Sequence, residues 1–338
     1  MENRKSLFRI ISDFFYDISV YLHSKRKHAK KAKSIKSIKR NELIFCLACL
    51  ILPITQMLIF YFGVNINSIL LSFKRYDAVN RTFVFNGLNN FKNVLNFLFT
   101  DNSMKMAFKN SMVMYLVNLL IATPLNLIFA YFMYKKIPFS GFFRIVLFLP
   151  AVISSVVLAF VYKYAVEYFI PFIGQQVFHK TIPILTQVPS SAFTVVIVYG
   201  LWTGFGGALI LYTGAMNKIP PEVIEYGKLE GIGAFREFTQ VVIPMIFPTI
   251  TTFLVVGFSG IFTAYGALYI FYGASARTDM WTLGYYWFTR IVNSQGVIDS
   301  YSSYPEAAAA GLIFTIICAP ITLLIKHVLE KYGPQAEV

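Results

Sequence analysis

Apolar residues fill six stretches of the chain almost without interruption, at 43–62, 107–134, 141–162, 192–216, 246–272 and 307–326. An α-helix needs about 20 such residues to cross the hydrocarbon layer of a bilayer, and every stretch is that long. The pattern predicts an all-α protein, a polytopic bundle of six transmembrane helices. One membrane domain covers 43–332, behind a tail at 1–42 and ahead of a short tail at 333–338. Between the spans, 63–106 is expected to hold a short amphipathic stretch ending at Phe99, and 163–191 an irregular cap rich in Pro and Gln. Residues 5–23 place Leu7, Ile10, Ile11, Phe14, Phe15, Ile18 and Leu22 at helical spacing, with Arg9, Ser12, Asp13 and Asp17 opposite. That spacing predicts an amphipathic interfacial helix. Charges interrupt its apolar stretch and no cleavage site follows, so it does not read as a signal peptide. The basic run that follows it is attracted to anionic lipid heads at about 1 kcal/mol per charge; the alternative is a solvated tail that only fixes topology.

Composition agrees: 57% of residues are apolar and 14% charged, against roughly a quarter charged in soluble domains. The net charge of +14 would point to nucleic acid if it were spread over the chain, but its placement argues for lipid and topology instead. Residues 1–42 hold 12 of the 30 Lys and Arg. With Lys135, Lys136, Arg144, Lys218, Lys228, Arg236, Lys326 and Lys331, one side of the bilayer carries 20 bases and the other ten. The positive-inside rule then sets both termini in the cytosol, in the bilayer of a cell membrane. Cys46 and Cys49 form a C-x-x-C inside an apolar span and Cys318 lies in the last one. Without a nearby His or acid they are expected to serve packing.

The connection between the fourth and fifth runs breaks the apolar pattern. Glu222, Glu225, Glu230 and Glu237 alternate with Lys218, Lys228 and Arg236, and Gly231 and Gly233 divide the segment into short helical pieces. Pro220-Pro221 at a first turn, followed by acids, suits a helix N-terminus. Pro244 and Pro248 are expected to end the loop where lipid begins. The same topology count sets this loop in the cytosol.

Its spacing resembles the EAA loop of ABC importer permeases, E-A-A-x3-G-x9-I-x-L-P. Glu225 takes the first position, Gly231 lies six residues on, and Val241, Ile243 and Pro244 fill the end. Tyr226 and Gly227 replace the alanines, and Glu230 stands where an Asp is usual. The resemblance extends over 43–332 and is closest to carbohydrate importer permeases of the maltose and multiple-sugar type. Gly87-Leu88-Asn89-Asn90-Phe91 is similar to their G-L-x-N-F. Trp202-Thr203-Gly204-Phe205, then Met216 to Pro220, resembles the approach to the loop. Trp281-Thr282-Leu283, Tyr285-Tyr286-Trp287 and Ala307–Ala310 resemble the lead into the last helix. Gly266 stands where the family carries an Asp.

The resemblance implies a subunit that forms a translocation path with a second, similar permease and works by alternating access. It implies two separate ABC ATPase subunits, docked through Glu225, Tyr226, Gly227, Glu230, Gly231, Gly233 and Pro244, and an external solute-binding protein that delivers a sugar, expected to be an oligosaccharide. The chain carries no G-x-x-x-x-G-K-[ST] phosphate loop and no catalytic or metal-binding set. It is thus expected not to be an enzyme and to hold no cofactor, with ATP and Mg bound by its partners. Polar and aromatic residues within spans are costly unless they face a partner or a cavity. Asn118, Asn126, Tyr199, Trp202, Thr263, Tyr265 and Tyr269 are therefore the candidates for the substrate path. Small residues recur at Gly200, Gly204 and Ala208, at Ala307, Gly311, Thr315 and Ala319, and at Gly257, Gly260, Ala264 and Gly266, where helices can approach closely. A glycerol-phosphate or other organic solute is the alternative cargo, disfavoured because no span holds Arg or Lys at its middle. A stand-alone secondary transporter would need ionisable groups deep in the spans, and a membrane scaffold would need no internal polar positions.

Overall fold

The computed structural model describes residues 35–292, 301 and 303–334, with the backbone alone for 35–41. The amphipathic stretch 5–23, most of the basic run after it and residues 335–338 lie outside the described residues. Among the described residues, six helices are long and apolar enough to cross a bilayer: Glu42–Ser72, Asn102–Tyr134, Ser155–Val177, Pro189–Met216, Ala234–Thr263 and Ser303–Tyr332, hereafter spans one to six. The all-α expectation holds with one addition. Strands β1 (Lys74–Asp77) and β2 (Thr82–Phe85) form an antiparallel hairpin with Lys74 opposite Phe85.

The chain divides into two units, residues 1–67 and 68–338. The first contains most of span one, whose helix passes through a wide π turn at Met57–Gly63 and keeps Leu52 and Phe60 exposed.

Within the second unit, prolines explain where the helices widen. Asn118–Ala122, Ala165–Phe169 and Glu237–Val242 are π turns, and each ends two residues before a proline: Pro124, Pro171 and Pro244. In all three, the residue ahead of the proline donates its N–H five residues back, as Ile243 does to Phe238. A proline inside an α-helix lacks a donor and presses on the carbonyl four residues back; one wide turn lets the helix run on. The expectation that Pro244 and Pro248 end the loop is therefore corrected. The helix starts at Ala234 and passes through both prolines to Thr263.

Two predicted spans are broken. The run 141–162 is a short helix, Ser140–Val152, that stops where Ile153 and Ser154 turn extended, and span three begins only at Ser155. Thirteen residues rise only about 20 Å, too little for a hydrocarbon layer of about 30 Å. That short helix crosses span four at Gly206, where an added Cβ would meet Ala151 Cβ at 2.6 Å. The run 246–272 stops at Thr263, and Gly266–Tyr272 is a separate helix ending at Gly273, φ +58°.

Buried amides tie the connections to the spans. Asn90 Nδ2 donates to the carbonyls of Ser72 (2.7 Å) and Lys74 (2.6 Å), and Phe91 packs on Phe73; Gly87, at φ +58°, turns the chain into this contact. Asn110 of span two donates to the carbonyls of Asp279 and Trp281. Ser111 Oγ accepts from Leu283 N–H at 2.9 Å, the start of the helix Leu283–Val292. Span two is capped by Asp101, which accepts from Ser103 N–H and from the Tyr286 hydroxyl at 2.8 Å. Burial pushes the Tyr286 phenol up to about 12, keeping it a donor. Burial alone would raise Asp101, but hydrogen bonds from Tyr286, Ser103 and Met104 hold it below the usual carboxylate range.

Candidate functional site

The charged loop forms the short helix Pro221–Leu229, followed by a turn into span five. Its end is a Schellman motif. Gly231 sits at φ +72°, its N–H donates to Lys228 O at 3.0 Å, and the next N–H, of Ile232, reaches back to Gly227 O at 3.0 Å. Both bonds satisfy carbonyls that the helix end would leave unpaired. The motif also brings Ile232 over Gly227, where a Cβ would touch its Cδ1 at 3.6 Å. The glycine six residues after Glu225 is thus a backbone requirement. An alanine in the left-handed region costs about 1–2 kcal/mol, so Gly231→Ala is expected to loosen the loop and speed tryptic cleavage at the exposed Lys228 and Arg236.

One face of this helix is held and another is free. Ile224 is buried among Met216, Ile219, Leu127, Val242 and Ile246. Glu225 and Glu230 are exposed, and so are Tyr226 (70%), Leu229 (86%) and Phe235 (78%). Apolar side chains beside carboxylates at the end of a membrane bundle form a surface suited to another protein. Gly233 is the residue before span five, and Pro244 lies inside that span behind its π turn.

Glu237 behaves differently from the other loop acids. It is 4% exposed and paired with Lys135 Nζ, at 2.6 Å to Oε1 and 2.7 Å to Oε2. Tyr131 donates to Glu237 Oε1 and is also within hydrogen-bond distance of the Ala234 carbonyl, each at 3.1 Å. Phe238 packs against the Tyr131 ring at 4.9 Å. In the sequence Glu237 groups with the other acids of the charged loop. Its only signal was the position, one turn into an apolar helix.

The candidate path residues separate into four places. Asn118 and Asn126 line a cavity of about 200 Å³ together with Tyr115 from span two, Gly204, Ala208 and Tyr212 from span four, and Phe253 and Gly257 from span five. Asn118 is exposed at its rim, whereas Asn126 is 5% exposed and its Oδ1 has no partner. Eight residues overshoot two α-helical turns by about 0.8 residue. The π turn at Asn118–Ala122 takes up the extra residue and aligns the two amides. The small residues singled out at 204, 208 and 257 supply the space.

Tyr199 is 4% exposed and donates to the Ser155 carbonyl at 3.1 Å. It packs with Tyr162 and Phe271, and Trp202 stacks on Tyr162 at 5.8 Å. Tyr265 lies on Phe288 at 4.3 Å and Tyr269 meets the same ring edge-on at 4.9 Å. Thr263 donates to Ser259 O and lines a groove of about 550 Å³ between spans five and six, beside Gly311, Thr315 and Cys318. Among the described residues, no cluster of His, Cys, Asp and Glu could hold a metal.

Comparison with known proteins adds the family context. Residues 122–332 match the family described as "Binding-protein-dependent transport system inner membrane component". The multiple sugar-binding transport system permease protein MsmF of Streptococcus mutans is 24% identical over 84% of this chain and 94% of its own. The arabinooligosaccharides transport system permease protein AraP of Halalkalibacterium halodurans is 21% identical over 91% of this chain and 95% of its own. A solved bacterial ABC transporter involved in the import of the acidic polysaccharide alginate has the same fold. Its matching chain superposes with a TM-score of 0.68 at 22% identity, covering 88% of this chain and 98% of that one. A bacterial alginate ABC transporter crystallised in complex with an alginate pentasaccharide-bound periplasmic protein gives a TM-score of 0.70 at 21% identity, covering 89% of this chain and 98% of that one.

Proposed function

This chain belongs to the family of inner membrane components of binding-protein-dependent transport systems, and from that premise we propose that it is the permease subunit of an ATP-driven importer of oligosaccharides. A second permease completes the path, two ABC ATPase subunits dock on its loop, and an external binding protein delivers the sugar. The loop and both termini face the cytosol, as the distribution of bases requires. The chain itself hydrolyses nothing.

The observation that carries the reading is the Pro221–Leu229 helix. Ile224 locks it to the bundle while Glu225, Tyr226 and Leu229 stand free. A helix anchored this way transmits a push, because the Schellman turn removes the slack of a flexible loop. Alternating access needs such a link, since a partner shifts an equilibrium only through contacts that differ between its two states.

For the cargo, the relatives named for multiple sugars and arabinooligosaccharides point to carbohydrate. The cavity agrees in chemistry: amides and aromatic rings line it, and no Lys, Arg, Asp or Glu does. That lining suits neutral hydroxyl-rich cargo better than an organic phosphate. The test is uptake of radiolabelled maltotriose, raffinose and arabinotriose into cells expressing the complete system. ATP-dependent uptake of at least one, lost when this chain is deleted, is the expected result. Uptake of glycerol phosphate with none of the sugars would overturn the cargo assignment.

A further inference from the structure

The loop is joined to the bundle by more than apolar packing, and that joint has a direction. Glu237 opens the π turn of span five, and its carboxylate is held by Lys135, just beyond span two, and by Tyr131 within it. The Tyr131 hydroxyl also lies within hydrogen-bond distance of the Ala234 carbonyl at the very start of span five. Five residues before Tyr131, on the same helix, Asn126 sits in the cavity wall with its oxygen unpartnered. One rigid chain of contacts therefore runs from the loop, through Glu237, into the helix that carries the cavity amides.

We propose that Glu237 is a positioning residue: clamped by Lys135 and Tyr131, it transmits movement of the docking loop to span two and so to the Asn118–Asn126 wall. Apolar contacts such as those of Ile224 hold the helix against the bundle but form no directional bond. A carboxylate bonded to an ammonium and a phenol cannot shift without breaking directional bonds. A buried ion pair is weak grounds for stability, because apolar residues of similar volume often serve as well. Its geometry is what the apolar replacement lacks. The inference rests on the docking reading of the loop, and the test separates the two.

The experiment uses the assembled transporter in proteoliposomes, with the three native cysteines replaced and Asn118→Cys as reporter. The reaction rate of that thiol with a charged methanethiosulfonate reagent is compared between the nucleotide-free and MgATP-vanadate states. In the parent, the two rates are expected to differ by about fivefold or more, the low end of ordinary coupling between sites. In Lys135→Met/Glu237→Leu, which leaves no charge unpaired, the ATPase should still co-purify and trap nucleotide while the rates converge. Lys135→Arg, which preserves the ion pair, should restore the difference. An undiminished difference in the double variant overturns the clamp and leaves docking intact, as does a parent thiol indifferent to nucleotide. Loss of the ATPase from the double variant would make the pair scaffolding for the loop and equally refute transmission. An ATPase that stays bound to Glu225→Lys removes the docking reading, and the clamp falls with it.

Discussion

Lys135→Met, made alone, is expected to be one of the most damaging single substitutions in the second unit. It leaves the Glu237 carboxylate, whose side chain is 6% exposed, facing Tyr131 with no cation. Removing one partner of a buried pair costs about 3–5 kcal/mol, because the other charge stays where water cannot reach it. Glu237→Gln should cost less. The lysine it leaves behind is 23% exposed and can turn its ammonium to solvent, while the amide still accepts from Tyr131. Lys135→Met/Glu237→Leu should recover most of the loss. Thermal midpoints in mild detergent check the order: Lys135→Met lowest, Glu237→Gln between, the double variant near the parent. Equal midpoints for the two single variants would mean that the pair is solvated and that the account of Glu237 is wrong.

Gly284→Val is the second large effect. Gly284 is the second residue of the helix Leu283–Val292, packed against the break that ends span five. An added Cβ there would lie 2.7 Å from Thr263 C, 2.8 Å from Thr263 O and 2.9 Å from Ala264 O. These are backbone atoms and cannot rotate away. The helix would have to back off, breaking the Thr282 hydroxyl bond to the Ala264 carbonyl and the Leu283 N–H bond to Ser111. Overpacking of this kind costs about 3 kcal/mol at the upper end of its usual range, before the lost hydrogen bonds. Gly260→Ala is the control, since nothing lies within 4 Å of its added Cβ and helix propensity favours the change by about 1 kcal/mol. Monodisperse yield in detergent should collapse for Gly284→Val and hold for Gly260→Ala. Equal yields would refute the close approach.

Most of the bundle was legible because lipid imposes its pattern locally: four of the six apolar runs, 43–62, 107–134, 192–216 and 307–326, each lie within one spanning helix. The loop was legible for a similar reason, since the distance from Glu225 to Gly231 records one short helix and its left-handed stop. What escaped depends on partners far along the chain. The burial of Glu237 requires Lys135, 102 residues away. Asn110 and Gly284 acquire their roles only when the 264–282 connection folds back on span two. The break at Ile153–Ser154 leaves no gap in hydropathy, and proline in lipid can either end a helix or ride through it on a π turn. Among the path candidates, Asn118 and Asn126 share a face only because Pro124 widens the turn before it. Tyr199, picked for the same reasons, packs instead against Tyr162 and Phe271 with its hydroxyl engaged. An aromatic residue in a span reads alike whether it lines a path or fills a core.

The most direct test of the central claim, that the Glu225 loop carries a separate ATPase, is a mild-detergent pull-down of the tagged protein from its native membrane. Mass spectrometry should find a second six-helix permease and a chain with the G-x-x-x-x-G-K-[ST] phosphate loop. Glu225→Lys, inserted at the parent level, should lose the ATPase. Recovery of this chain alone, or of the ATPase equally well from parent and Glu225→Lys, would contradict the account.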